Sequence, residues 1–146
     1  FFDGNENDIL EFKRQNLSLE DIQFKINTVE DILQIIFEMK NYTTGELAIK
    51  NNLYLTIKYN KSIELLSQRI RFWDIENVYF FINEIESELK KEKEFLINFL
   101  SKIIINVKHS VEADELKKLI NLKNSIRSNV NVKSVIFNFF DILQNS

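Results

Sequence analysis

The sequence contains no cysteine, no proline and only two glycines among its 146 residues. Without cysteine there are no disulfide bridges and no thiolate metal sites. Proline and glycine form most tight turns and phosphate-binding loops, so their scarcity argues against β-sandwiches, P-loops and dinucleotide-binding folds. A single histidine, His109, and no cysteine argue against a zinc enzyme, a cysteine protease and a Ser-His-Asp hydrolase. We therefore expect no catalytic residue, no cofactor and no metal site.

Long segments in which apolar residues recur every three or four positions make up most of the chain. This spacing predicts amphipathic α-helices, which pack into a bundle when their connections are short. The predicted fold class is all-α, a mostly antiparallel bundle of about five helices with a central buried helix. We expect one domain over residues 1–146, with an acidic lead segment at 1–17 that includes a short helix at 5–16. The five main helices are predicted at residues 18–40, 46–73, 75–107, 110–127 and 132–143.

Helix boundaries are predicted from side chains that can accept hydrogen bonds from the first amides of a helix. Asp74 is expected to begin the third helix and Ser110 the fourth, with acidic residues following Ser110 in the first turn. Residues 18–21 and 43–46 have the spacing of capping boxes. Residues 28–31 have it too, so a second helix start at Thr28 is an alternative to one uninterrupted first helix.

The third predicted helix follows a heptad pattern of apolar residues that starts at Ile75 and is broken only at Glu92. Between Phe95 and Val107 apolar residues, Ile105 among them, surround the helix. A helix that is apolar on every side must be covered on every side, so this half is predicted to be the centre of the bundle. Neighbouring segments carry enough apolar surface to cover the stripe, which favours packing within one chain over a coiled-coil oligomer.

The net charge is −3, and the charges are unevenly distributed. Acidic residues are in excess over residues 1–40 and basic residues over residues 101–146. The favoured interpretation is that helix faces of opposite charge lie against each other or in solvent. The alternative is a basic C-terminal surface for an anionic partner, although a nearly balanced net charge argues against nucleic acid.

Two groups of residues are candidate partner-binding sites. Arg69, Arg71, Phe72 and Trp73 lie together at the end of the second predicted helix, and arginine and tryptophan are typical interface anchors. The alternative for this group is that Trp73 closes the end of the core.

The second group lies in the last helix, where Phe137, Phe139 and Phe140 cannot all face inward from one thin helix. They either fill a groove in the bundle or offer an exposed patch to another chain. From this group Phe137 and Phe140 are the predicted contact residues.

Residues 49–66, IKNNLYLTIKYNKSIELL, resemble a segment of the paralogous surface lipoprotein family of Borrelia. Members of that family show an Ile-Lys-x-x-Leu-Tyr-x-x-aliphatic-x-Tyr run at the start of a helix, followed by lysine and an Ile-Glu-x-Leu group. Residues 21–23 and the pattern over residues 97–126 are also similar, as is the bias toward Asn, Lys, Ile and Phe. The likeness extends over the second to fourth predicted helices.

The resemblance implies an exported helical protein without enzymatic activity, held on the bacterial outer surface by an upstream lipid anchor. Several relatives bind host complement proteins, so the expected partner is a host protein, with a complement factor the leading class and the chain a monomer or weak homodimer. We expect this chain to lack the long C-terminal arm of some relatives, so no ligand-contact residue is carried over. The alternative function is an intracellular, cytoplasmic scaffold or assembly subunit that docks through its C-terminal aromatic helix.

Overall fold

The computed structural model describes residues 28–42 and 49–146, with the side chains of residues 28–41 and 55–146. In these ranges the chain forms six α-helices and one 3-10 turn: α1 (Val29–Tyr42), α2 (Ile49–Arg69), the 3-10 turn (Ile70–Phe72), α3 (Ile75–Leu89), α4 (Lys93–Val107), α5 (Ala113–Ser125) and α6 (Val132–Asn145). No strand occurs in these ranges, which confirms the predicted all-α class. The helix count exceeds the predicted five because the third predicted helix is two helices.

The chain divides into two compact units, one that ends at Ser62 and one that runs from Ile63 to Ser146. In the first unit, α1 begins with a capping box. The Thr28 amide donates to Asp31 Oδ2 at 3.1 Å, and the Asp31 amide donates to Thr28 Oγ1 at 3.3 Å. The alternative start at Thr28 is therefore confirmed. The predicted helix at 5–16 and the capping boxes at 18–21 and 43–46 lie outside the described residues.

The break between α3 and α4 falls where the heptad pattern lacks an apolar residue. Lys90, Lys91 and Glu92 are all exposed, so this stretch has no apolar side chain to hold a helix against the core. The Glu92 amide instead donates to the Leu89 carbonyl at 2.9 Å and forms a turn. The prediction of one helix over 75–107 is wrong at this point, because the heptad gap ends the helix.

The start of α5 also differs from the prediction. The Ser110 hydroxyl donates to the Val107 carbonyl at 3.1 Å, so Ser110 closes the end of α4 and does not cap the next helix. Glu112 occupies the N-cap position with an extended backbone and makes no side-chain cap bond, and α5 begins at Ala113. A serine hydroxyl can bond backward to a carbonyl as well as forward to an amide, and in this turn the backward bond forms.

Two pairs of helices in the second unit, α4 with α5 and α3 with α6, run antiparallel. Arg127, which follows α5, forms an ion pair with Glu94 at the start of α4. Gln144 near the end of α6 bonds to the Trp73 carbonyl just before α3. The core between them is aromatic: Phe81 of α3 lies 6.4 Å from Phe99 of α4 and 5.4 Å from Phe140 of α6, between ring centroids.

The helix predicted to be central, α4, has seven buried residues, more than any other helix within the described side chains: Leu96, Ile97, Phe99, Leu100, Ile103, Ile104 and Val107. It is not covered on every side, because 57% of Ile105 is exposed. The prediction that apolar residues would be enclosed all around this helix is therefore wrong at Ile105. Ile105 is therefore an exposed apolar side chain on α4.

Candidate functional site

The connection between α2 and α3, residues 70–74, is held by several hydrogen bonds, and we call it the corner. After the 3-10 turn, Trp73 and Asp74 are extended, with φ/ψ of −73°/140° and −69°/163°. The Trp73 amide donates to the Ile70 carbonyl at 3.3 Å. Asp74 Oδ1 accepts from the Asn77 amide at 2.9 Å, which confirms Asp74 as the cap of the third predicted helix. Backbone and side-chain bonds therefore fix the direction in which the corner residues point.

The corner side chains point both inward and outward. Ile70 is buried, and Trp73 is half-buried with its ring edge toward Phe81, 5.5 Å between centroids. Phe72 is 85% exposed, the most exposed large apolar side chain that the structure describes. Trp73 thus closes the end of the core, as in the alternative interpretation, while Phe72 is left at the surface.

The two arginines of this group, Arg69 and Arg71, are both exposed. Arg71 Nη2 donates to the Ser110 carbonyl at 3.4 Å, which links the corner to the turn between α4 and α5. Arg71 directly precedes the exposed Phe72 in the chain, so the corner carries a guanidinium as well as an aromatic ring. Arginine and aromatic residues together are common anchors in protein interfaces.

The phenylalanines of α6 divide between core and surface. Phe139 and Phe140 are fully buried, with their centroids 5.6 Å apart, and Phe140 meets Phe81 at 90°. Phe140 therefore belongs to the core and offers no contact surface in this structure, contrary to its choice as a partner-binding residue. Phe137, the other predicted contact residue, is 38% exposed.

Phe137 stacks on Tyr79 of α3, with ring centroids 5.7 Å apart and planes inclined by 16°. Tyr79 is 44% exposed, and Ile75, one helical turn before it, is 62% exposed. Residues four apart lie on one face of a helix. We call Phe72, Ile75, Tyr79 and Phe137 the aromatic stripe: Phe72 lies just before α3 in the chain, Ile75 and Tyr79 share a face of α3, and the stack on Phe137 joins that face to α6.

Sequence reasoning missed Ile75 and Tyr79. The heptad pattern predicts an inward position for Ile75, but this residue lies in the first turn of α3 and faces solvent. The signal for Tyr79 is present in residues 78–82, VYFFI, because five consecutive apolar residues cover every face of a helix. In such a run some apolar side chains must face solvent.

Two open depressions border the exposed face of α6, and Asn138 lines both of them. One, of about 300 Å³, adjoins the aromatic stripe and is lined by Asn131, Lys133, Ser134, Phe137 and Asn138. The other, of about 490 Å³, lies between α5 and α6 and is lined by Lys118, Asn121, Leu122, Ser125, Asn138, Asp141 and Ile142. The aromatic stripe therefore has a polar, amide-rich border on the α6 side, which is the composition of an interface rim.

Other chemistry is sparse in the part of the chain that the structure describes. No group of three or more acidic or histidine side chains suited to a metal ion occurs within residues 28–42 and 49–146. His109 is exposed in the turn after α4. Across the same ranges no helix is both long enough and apolar enough to cross a bilayer.

Comparisons with known proteins give no match to a family model, to a curated protein or to a solved structure. The candidate site is therefore defined by the geometry of its own residues, without a related protein to compare.

Proposed function

We propose that this chain is a non-enzymatic binding domain of a lipid-anchored bacterial surface protein, and that its aromatic stripe binds a host protein of the complement system. Two independent arguments support the proposal. The resemblance of residues 49–66 to the Borrelia surface lipoproteins supplies the class of partner, and the exposed aromatic residues supply a surface suited to it.

The observation that carries the proposal is the exposure of Phe72 and Ile75 beside the Tyr79–Phe137 stack. Single exposed apolar residues are ordinary on protein surfaces, but contiguous ones mark interaction sites. Three of the four residues are aromatic, and the neighbouring Arg71 adds a cation. Aromatic residues and arginine are the types enriched where protein interfaces are strongest.

The alternative function, an intracellular subunit that docks through the C-terminal aromatic helix, is less well supported. Of the three phenylalanines that would make that contact, Phe139 and Phe140 are fully buried within their own chain. Phe137 alone remains, and its ring already stacks on Tyr79.

The test is surface plasmon resonance with the immobilised 146-residue chain and individually purified complement components. The double variant Phe72→Ser/Ile75→Ser removes the most exposed part of the stripe. We expect it to weaken binding about 30-fold, the effect of losing about 2 kcal/mol at an interface hot spot. Circular dichroism of the variant should match the wild type, since neither side chain is buried.

Ile105→Ser is the matched control, because Ile105 on α4 is exposed to nearly the same extent as Ile75, 57% against 62%. It should bind like the wild type. If no purified complement component binds the wild-type chain, the proposed partner class is wrong. If Ile105→Ser weakens binding as much as the stripe variant, the aromatic stripe is not the binding surface.

A further inference from the structure

The corner that carries Phe72 is bonded to the side chain of Gln144, which lies near the C-terminal end of the second unit. Gln144 Nε2 donates to the Ile70 carbonyl at 3.4 Å and to the Trp73 carbonyl at 3.1 Å. These two carbonyls bracket Phe72 in the chain, and the Ile70 carbonyl also accepts a hydrogen bond from the Trp73 amide. One amide group therefore bonds to the backbone on both sides of the exposed ring.

The bonds that Gln144 makes to the corner are better shielded from water than the other side-chain bond there, which Arg71 makes. The Gln144 side chain is half-buried, whereas the bond from Arg71 to the Ser110 carbonyl is exposed and 3.4 Å long. An exposed hydrogen bond competes with water, and a shielded one competes less. The buried face of the corner is fixed as well, since Ile70 is enclosed and the Trp73 ring lies on Phe81.

We infer that Gln144 is a positioning residue of the aromatic stripe: its amide fixes the turn from Ile70 to Trp73 so that Phe72 is already held outward before a partner binds. A side chain or turn that is ordered in advance loses less conformational freedom on binding, which strengthens the complex without any added contact. This inference rests on the proposed function of the stripe. Its structural part, the fixing of the corner, can be tested without a partner.

The partner-free test uses Trp73, the only tryptophan in the chain, as a reporter within the corner itself. Gln144→Met keeps a side chain of similar length but removes both N–H donors, and Gln144→Ala removes the donors without introducing a longer apolar group. In both variants we expect Trp73 emission to shift to longer wavelength and acrylamide quenching to increase. Hydrogen exchange at the corner amides should also become faster.

Asn145→Ala is the control, because among the described residues the Asn145 amide bonds to Asp141, within α6 itself. It should leave the Trp73 emission and its quenching as in the wild type. If both Gln144 variants also leave them unchanged, Gln144 does not fix the corner and the inference is overturned.

A double-mutant cycle on partner binding separates positioning from a general structural effect. Gln144→Met should weaken binding up to about tenfold, the effect of leaving one or two groups to be ordered during association. In a Phe72→Ala background the same substitution should have no further effect, because Gln144 acts through Phe72. An equal loss in both backgrounds would overturn the positioning role.

The two arms fail separately. If Trp73 responds as expected but no complement component binds the wild-type chain, the proposed function is wrong and the fixing of the corner stands. If Trp73 does not respond, the inference about Gln144 is wrong whatever the chain binds.

Discussion

The different placement of Phe140 and Phe137 predicts very different losses of stability when each is replaced by alanine. Phe140 is fully buried and lies edge-to-face against both Phe81 and Phe139. Truncation of a buried phenylalanine to alanine costs about 3–5 kcal/mol, since it removes the transfer free energy and leaves a cavity. Phe137 is 38% exposed and has one ring partner, so Phe137→Ala should cost about 1–2 kcal/mol.

The measurement is urea unfolding of the wild type and of both variants, followed by circular dichroism and by Trp73 fluorescence. Trp73 lies in the same compact unit as both phenylalanines and contacts Phe81, so its signal reports this unit. Phe140→Ala should lower the midpoint at unchanged denaturant slope, by two to three times as much as Phe137→Ala. Equal losses, or a loss below about 1.5 kcal/mol for Phe140→Ala, would contradict a helical register of α6 that turns Phe140 inward and Phe137 outward.

Substitutions at three further positions test local features of the fold. Asp74→Ala removes the cap of α3 and should lower the free energy of unfolding by about 1 kcal/mol in urea unfolding, whereas Asp74→Ser should retain most of it. The hydrogen bond and charge of Arg127 hold the pKa of Glu94 below its ordinary 4.5, so this pair stabilises the fold above pH 4.5 and the stabilisation is lost as the pH falls through the lowered value. Glu94→Gln should therefore make the acid side of the stability profile shallower, and an unchanged profile would contradict it. Burial raises the pKa of the Tyr59 phenol above its ordinary 10.0. The stability that comes from keeping this phenol neutral is therefore fully present below pH 10, and the free energy of unfolding falls as the pH rises above it. Tyr59→Phe should remove that alkaline loss, as measured by urea midpoints and tyrosinate absorbance.

Among features that depend on neighbouring residues, two helix starts were predictable from the sequence, whereas the break within the third predicted helix and the role of Ser110 were missed. Thr28 and Asp74 each cap the helix that follows, because their side-chain oxygens reach an amide three positions later in any helix start. The break after Leu89 occurs where the heptad pattern lacks an apolar residue. Ser110 does not cap α5, because its hydroxyl can bond either forward to an amide or back to a carbonyl, and here it donates to the Val107 carbonyl.

The division of the aromatic residues was not predictable in the same way. In α6, the sequence FNFF at residues 137–140 fixes that some rings face outward, but not which ones. That choice depends on the position of Phe81 on another helix, a contact between residues far apart in the chain. Similarly, the corner bonds made by Gln144 join positions more than 70 residues apart, and no local pattern signals them.

The residues of α3 separate into those that the fold explains and those that it does not. Val78, Phe81 and Ile82 are buried, and a polar residue at any of them would leave the core incomplete. The fold gives no comparable reason for Ile75, because an outward helix position can be filled at no loss by a polar residue that also improves solubility. Tyr79 gains a stack on Phe137, but 44% of its side chain remains exposed. Ile75 and Tyr79 follow Phe72 closely in the chain, and Gln144 bonds to the backbone on both sides of Phe72. This arrangement supports the proposed contact with a second protein, which the binding experiments above test.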